Sequence, residues 1–171
     1  MAATIDGTTG LTAPSGAIFN GIASGTAVAS TSGTSIDFTS IPSWVKRITV
    51  MFNGVSTSGT SSLQIQIGAG SVITTGYVSG TAYNSVQTTA TSGYLVAAGF
   101  TAVEVISGTM VLTLLGSNNW TVTGTNTVSG GVTRLCAGVG SSGGTLDRIR
   151  ITTVNGTDTF DAGTVNILYE G

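Results

Sequence analysis

Side chains that commonly carry catalysis are few in this chain and do not cluster. The sequence contains no histidine, which excludes the usual serine and cysteine triads and removes the commonest transition-metal ligand. Carboxylate-pair hydrolysis needs two acids that face one cleft, whereas the acids here share no motif. They are Asp6, Asp37, Glu104, Asp147, Asp158, Asp161 and Glu170. We therefore predict that the protein is not an enzyme and needs no cofactor, with a polysaccharide-degrading enzyme as a remote alternative.

Two short motifs resemble ligand-binding signatures but lack the context that such signatures need. The stretch 138–143 has glycines in the spacing of a dinucleotide fingerprint, but the residues 145–154 that follow predict a strand and not the helix that would hold a pyrophosphate. Asp158 and Asp161 offer oxygens to a calcium ion, which needs about six to eight ligands. We therefore predict a hairpin loop and a turn at these places, and no metal site.

One aromatic residue is predicted to lie where it could contact a ligand. The sequence Ser117-Asn118-Asn119 predicts a hairpin turn into a strand over 120–123, which places Trp120 near a loop tip. An aromatic ring beside amide side chains suits the faces and hydroxyl groups of a sugar. Trp120, Asn118 and Asn119 are therefore the candidate contact for a glycan or a partner, with a core position for Trp120 as the alternative.

The composition predicts a surface that is covered by other proteins. Charged residues make up 7% of the 171 residues, against about 25% in an ordinary soluble domain, so a lone monomer would lack the exterior that keeps proteins apart. The formal charge is −2, and the basic residues are scattered, which predicts no nucleic-acid binding. We also expect no secretion signal and no membrane insertion, because the chain begins without a positively charged segment and has no run of about 18 apolar residues.

The elements that must position these residues are β-strands, and the clearest of them is predicted over 45–52. The even positions from 48 to 52 are apolar, which is the period-2 alternation of a strand with one buried face. Pro42 marks the entrance of this strand, and Asn53-Gly54 is predicted to turn the chain back. We expect Trp44, at the entrance, to be a structural anchor in the core or between protomers, with a ligand platform as the alternative.

Further strands are bounded by clusters of Gly, Ser, Asn and Thr. They are predicted over 35–38, 63–67, 71–75, 93–97, 102–106, 109–115, 120–123, 132–139, 146–154 and 165–169. In 63–67 the alternation directs Gln64 and Gln66 outward, toward solvent or a sister subunit. The stretch 77–91 is predicted to be a loop. Together these strands predict an all-β domain over 34–171, an antiparallel sandwich of the jelly-roll kind.

Residues 1–33 differ from the rest of the chain. They are small and polar, and neither the helical nor the strand period holds for long. A segment of this kind cannot repay its ordering entropy alone. We predict an extended arm that lies along a partner or along sister subunits, with a floppy tail as the alternative. The candidate docking residues are Ile5, Asp6, Leu11, Ile18 and Phe19.

Segments near both ends and in the middle of the chain form a distinctive combination. They are Ala3-Thr4-Ile5-Asp6-Gly7-Thr8-Thr9-Gly10, Ile41-Pro42-Ser43-Trp44-Val45-Lys46-Arg47-Ile48, and Leu146-Asp147-Arg148-Ile149-Arg150-Ile151-Thr152 with Phe160-Asp161-Ala162-Gly163. Together they resemble small virion proteins of tailed bacteriophages, of the tail-fibre or surface-appendage type. The resemblance implies a late structural protein that is assembled in the host cytoplasm, docks on other virion proteins through its N-terminal segment and is commonly a homotrimer.

These observations lead to two functional hypotheses. The first is a tail-fibre or receptor-binding appendage, in which sandwich loops with Trp120, Asn118 and Asn119 contact a host surface glycan. The alternative is a capsid decoration protein, of the cement or head-fibre kind, whose arm 1–33 lies across the shell while the sandwich trimerises. Both place the protein in the virion.

Overall fold

A computed structural model describes residues 4–6, 10–12 and 21–171, and every regular element in this part of the chain is a β-strand. The all-β class predicted from the sequence is therefore confirmed. In chain order the strands are β1 Thr4–Asp6, β2 Gly10–Thr12, β3 Ala23–Ser24, β4 Val28–Ala29, β5 Ser35–Thr39, β6 Arg47–Thr57, β7 Leu63–Ala69, β8 Ser71–Val72, β9 Val78–Tyr83, β10 Val86–Ala90, β11 Tyr94–Ala97, β12 Ile106–Gly116, β13 Asn119–Val128, β14 Val132–Ser141, β15 Arg148–Thr153 and β16 Phe160–Glu170.

Two antiparallel sheets pack face to face. The large sheet has the strand order β10-β9-β14-β13-β12-β6-β16, and β3 and β4 both pair with the outer edge of β16. The small sheet has the order β11-β7-β15-β5, with the short β8 paired to β7. β1 and β2 pair with each other. This arrangement is the predicted β-sandwich.

The strands are connected as in a jelly roll. They pair from the two ends of the domain inward: β5 with β15, β6 with β12, β7 with β11, and β9 with β10. Nested pairing of this kind results when one long antiparallel hairpin rolls up into two sheets. In the large sheet, β6 and β9 are separated by three strands that are consecutive in the chain. These strands, β12, β13 and β14, form a meander. Because the meander has an odd number of strands, it widens the large sheet without changing the direction of the chain.

Apolar side chains from the inner faces fill the space between the sheets. In β6 the alternation is confirmed, since Ile48, Val50 and Phe52 are all buried. Trp44 is partly buried and packs against this core, with its ring centroid 5.9 Å from that of Tyr169. Both sheets contribute large apolar side chains to this core. From the large sheet come Met110, Leu112, Trp120, Val122, Val165 and Ile167, and from the small sheet Ile36, Phe38, Leu63, Ile65, Ile67, Ile149 and Ile151.

The turn predicted at Asn53-Gly54 is wrong, because β6 continues through this position to Thr57. Gly54 has a φ of 63°, but the register of both neighbouring strands shifts there. The glycine therefore forms a β-bulge, in which the chain accommodates an extra residue while pairing continues on both sides. The same region of β16 contains Gly163, with a φ of 96°.

The loop predicted over 77–91 is also wrong, because this stretch forms the hairpin of β9 and β10. Asn84 and Ser85 occupy its two-residue turn with φ values of 43° and 64°, as a type I′ turn requires. The inward positions of β9 are polar, which hid the strand: Ser79 and Thr81 are both buried.

The strand predicted over 102–106 is wrong except for its last residue, where β12 begins. Thr101 and Glu104 form a turn instead: the Glu104 amide donates to the Thr101 carbonyl at 3.0 Å, and the Thr101 amide donates to Glu104 Oε2 at 2.6 Å. Val103 is 88% exposed. The alternation of apolar residues here reflects no buried face.

Part of the predicted arm belongs to the large sheet. β3 and β4 lie within 1–33 and pair with β16, and the buried Ser30 donates its hydroxyl to the Ala162 carbonyl at 2.7 Å. The domain boundary at residue 33 stays a prediction. Of the candidate docking residues, Ile5, Asp6 and Leu11 fall in β1 and β2, whereas Ile18 and Phe19 lie outside the described residues.

Candidate functional site

Trp120 lies in the core, which was one of its two candidate positions, and not at the surface of the loop tip, where contact with a glycan would place it. Trp120 is the second residue of β13 and is 2% exposed. It shares its parity with the buried Val122, so both side chains point between the sheets. Its carbonyl accepts a hydrogen bond from the Tyr94 hydroxyl at 2.9 Å. A ring enclosed in this way cannot stack on a sugar at the surface.

The turn before Trp120 is present as predicted. Ser117 and Asn118 have φ values of 48° and 63°, and Asn118 and Asn119 are exposed. The Asn118 carbonyl accepts hydrogen bonds from the amide and the hydroxyl of Ser142, at 3.0 and 3.2 Å. The structure therefore leaves two exposed amides on a fixed turn, without an aromatic platform beside them.

The described residues contain little that could perform covalent or metal chemistry. Within them, no group of three or more His, Cys, Asp or Glu side chains is placed to hold a metal ion. Burial raises the pKa of the Cys136 thiol, which keeps it in the unreactive protonated form. The same part of the chain has no helix of the length and hydrophobicity that a membrane span requires.

Charged side chains are concentrated on the outer face of the small sheet. Arg148 donates from Nε to Asp147 Oδ1 at 2.7 Å, and Arg150 donates from Nε to Asp37 Oδ1 at the same distance. The hydrogen bond from Arg148 lowers the pKa of Asp147. The hydrogen bond to Asp37 raises the pKa of Arg150. This face is therefore suited to contact with water or with a polar ligand.

The outer face of the large sheet is almost free of charge. The described strands β9, β10 and β12 to β14 carry one charged side chain, Arg134, and it is buried between the sheets. The outward positions of these strands are therefore uncharged. On β6 and β16 the ion pair of Arg47 and Glu170, 3.8 Å apart, lies at one corner. Asp161 lies at the opposite end of β16. We call the area between these charges the uncharged face.

Three rows of cross-strand neighbours make up the uncharged face. Two large apolar side chains are exposed on neighbouring strands at the β9 side of this face. Val78 on β9 is 70% exposed and Leu135 on β14 is 64% exposed. The centre of the face is mostly threonine. The rows are Ala82-Leu135-Thr125-Thr109-Met51-Asn166, Gly80-Ala137-Thr123-Val111-Thr49-Leu168, and Val78-Val139-Thr121-Thr113, which ends at Arg47-Glu170.

Two glutamines of β7 differ from the sequence-based expectation. Gln64 and Gln66 do point out of the small sheet, but they are only 2% and 6% exposed. The reason is the segment around Ser92, which covers them: its hydroxyl donates to Gln64 Oε1 at 2.8 Å, and its carbonyl accepts from Gln66 Nε2 at 2.9 Å. Strand alternation gives the side of a sheet that a residue faces, but not what covers that side.

The fold and its surfaces define a jelly-roll sandwich with one uncharged and one charged face. Comparison with protein-family models, with curated proteins and with solved structures gives no match for this chain.

Proposed function

We propose that the protein is a structural component of the virion of a tailed bacteriophage. In this proposal it is a tail-fibre or receptor-binding type of appendage, acts in host attachment as a homotrimer, and is not an enzyme. The observation that carries the proposal is the uncharged face of the large sheet. A face of this composition favours contact with another protein, because charged residues are depleted in the core of protein interfaces.

A second copy of the chain is the occupant that we assign to the uncharged face. Its three rows across six strands span about 29 Å by about 20 Å, on the order of 600 Å², from the standard spacings of a sheet. A standard interface takes about 800 Å² from each partner. In a homotrimer the uncharged faces of three copies would surround a three-fold axis, and each would contact two neighbours through different parts of the face. Threonine hydroxyls both donate and accept hydrogen bonds, so these faces can pack together without unsatisfied groups. The small-sheet faces would then point away from the contact.

The oligomeric state in solution tests this part of the proposal. Light scattering on the purified protein should give three times the 17.0 kDa of one chain. Thr123→Arg places a charge at the centre of the uncharged face, between Val111 and Ala137, and should give the mass of a single chain. The matched control Thr157→Arg lies in an exposed turn and should leave the trimer intact. A monomeric wild-type protein would overturn the proposal of self-association.

Capsid decoration is the second candidate function, and the position where the N-terminal segment joins the domain favours it. Ala23 pairs with Tyr169, which in turn faces Ile48. Ile48 faces Leu112 of β12, close to the turn 117–119. An N-terminal segment that docks on the particle and joins the domain at Ala23 would bring the end of the domain with the turn 117–119 toward the particle. Asn118 and Asn119 would then contact other virion proteins and not the host.

Gold-labelled antibody on purified virions distinguishes the two functions. Label at the tail would support the appendage, and label spread over the head would support capsid decoration. A virion that carries no label, although the protein is present in the infected cell, would contradict both functions.

A further inference from the structure

The outer face of the small sheet contains a groove in which polar side chains of three strands lie side by side. In one row Gln66 faces Arg150, which faces Asp37, and in the next row Gln64 faces Thr152, which faces Ser35. Cross-strand neighbours on one face are about 5 Å apart. Two amides, a guanidinium, a carboxylate and two hydroxyls are thus brought together. The polar groove is lined by Ser35, Gln64, Gln66, Arg150 and Thr152, and Asp37 lies beside it as the partner of Arg150.

The polar groove is concave and has the size of a ligand site. Its volume is about 390 Å³, within the range of about 300–1,000 Å³ of small-molecule sites. The sheet forms its floor, while Thr74 and Ser92 on one side and the turn 154–156 contribute walls. A flat, fully solvated sheet surface would have no such walls. The groove can therefore enclose part of a ligand.

Hydrogen bonds hold the groove side chains in place before any ligand arrives. Gln64 and Gln66 are fixed by Ser92, and the Thr152 hydroxyl donates to the Thr34 carbonyl at 2.8 Å. Gln66 Oε1 has no hydrogen-bond partner among the described residues, and its amide keeps a second N–H. Because these side chains are already ordered, a ligand that binds them loses little rotamer entropy.

The charges of the groove neutralise each other. Arg150 forms a bidentate ion pair with Asp37, in which Nε donates to Oδ1 at 2.7 Å and Nη2 donates to Oδ2 at 2.8 Å. An anionic ligand would have to compete with Asp37 for the guanidinium, so the groove does not favour anions. The remaining carboxylate lone pairs accept hydroxyl protons, and the free Arg150 Nη1 donates to hydroxyl oxygens. This combination suits neighbouring hydroxyl groups on an uncharged ligand.

We propose that the polar groove binds a neutral saccharide. The inference rests on the proposed function for the source of the sugar, which would be a host surface glycan. It moves glycan contact from Trp120, which is buried, to a surface on the opposite side of the sandwich from the uncharged face. Protomers that pack through their large sheets would leave every groove accessible.

Nuclear magnetic resonance titration of the full chain with saccharides tests the inference. The probes are glucose, galactose, mannose and N-acetylglucosamine and their short oligomers, with sialic acid and glucuronic acid as charged counterparts. At least one neutral sugar should shift the side-chain amide signals of Gln64 and Gln66 in a saturable way. The charged sugars should bind at least tenfold more weakly.

A matched pair of glutamine variants localises the binding. Gln66→Ala should weaken binding at least tenfold, whereas Gln87→Ala, on exposed β10 of the large sheet, should leave it unchanged. Asp37→Asn, which keeps the shape of the side chain, should also weaken binding and serves as the test if Gln66→Ala does not fold. Thermal unfolding of each variant reports on its fold.

The inference is overturned if no neutral sugar shifts the groove signals, if a charged sugar binds more tightly, or if folded Gln66→Ala and Asp37→Asn bind as wild type. This outcome is separable from the proposed function. Gold label on virions together with a protein that binds no sugar would overturn the inference alone. Sugar binding by a protein that is missing from virions would overturn the proposed function and leave the groove assignment standing.

Discussion

Arg134 lies between the two sheets with its guanidinium carbon 4.4 Å from the centre of the Tyr83 ring. Its Nε and Nη2 donate to the carbonyls of Ala98 and Gly99, at 2.8 and 3.0 Å. Within the described residues no ion pair reaches it. The buried charge is therefore held by main-chain acceptors and an aromatic face, and it fastens the segment after β11 to the large sheet.

Arg134→Ala should lower the free energy of unfolding by about 3 kcal/mol, because it leaves the buried Ala98 carbonyl and the part-buried Gly99 carbonyl without this donor and opens a cavity. Urea denaturation followed by tryptophan fluorescence measures this change. The control is Arg148→Ala, which breaks a solvent-exposed ion pair and should cost less than about 1 kcal/mol. Equal losses of unfolding free energy in the two variants would contradict the conclusion that Arg134 fastens the segment after β11 to the large sheet.

Trp120→Ala should lower the free energy of unfolding by about 3–5 kcal/mol, because the variant leaves a cavity between the sheets. Asn119→Ala, one residue earlier and exposed, should change it by less than about 0.5 kcal/mol. Thermal and urea unfolding followed by circular dichroism measure both. A Trp120→Ala variant with wild-type stability would restore the interpretation of Trp120 as a surface contact.

Stability should fall in alkaline solution because of a buried tyrosine. Burial raises the pKa of Tyr77 from 10.0 to about 12, while its hydroxyl donates to the Ile73 carbonyl and accepts from the Ile67 amide. The folded state thus favours the protonated phenol. The protonated phenol therefore stabilises the fold fully below the pKa of tyrosine in the unfolded chain. This stabilisation, about 3 kcal/mol, is lost as the pH rises through the pKa of Tyr77 in the folded protein.

Urea denaturation from about pH 9 to about pH 12 measures this loss. Tyr77→Phe should be less stable at neutral pH, because two hydrogen bonds are lost, and less dependent on pH above 10. Part of the slope should remain, since burial also raises the pKa of Tyr94. A Tyr77→Phe variant with the full wild-type slope would show that ionisation of Tyr77 is not coupled to unfolding.

The bulge between β6 and β16 should tolerate a side chain at one glycine and not at the other. A Cβ on Gly163 would lie 2.4 Å from the Gly54 carbonyl oxygen, whereas a Cβ on Gly54 would meet open space. Gly54→Ala should cost about 1 kcal/mol, the strain of a positive φ. Gly163→Ala should cost at least about 3 kcal/mol, because backbone must move. Similar melting temperatures for the two variants would contradict this explanation.

The sequence predicts the strands whose inward residues are apolar. The alternation in β6 identifies Ile48, Val50 and Phe52 as buried, because a pleated strand with one apolar face has only one way to pack. β9 was missed because its inward side chains are polar, and they serve main-chain groups of the facing sheet. The Ser79 hydroxyl, for example, accepts from the Leu95 amide at 2.8 Å.

The two candidate surfaces were less predictable, because both depend on register. The low charge of the chain predicted a covered surface, but only the pairing of strands shows that the outward positions of β9 and β12 to β14 are uncharged together. Arg150 of the polar groove binds Asp37, which is 113 residues away in sequence. The turn 117–119 was predicted correctly. Its short length, however, starts β13 at Asn119 and so turns Trp120 inward.

The nested pairing of the strands sets the order in which the chain can fold during synthesis. β5 finds its partner β15, and the segment with β3, β4 and Ser30 finds β16, only after more than a hundred residues have followed them. Contacts so distant in sequence make folding slow, on the order of milliseconds to seconds for all-β domains. The small sheet stays incomplete until β15 has left the ribosome and the large sheet until β16 has, so the edges of the strands already made stay unpaired. The yield of folded protein would then depend on protection of the nascent chain from aggregation.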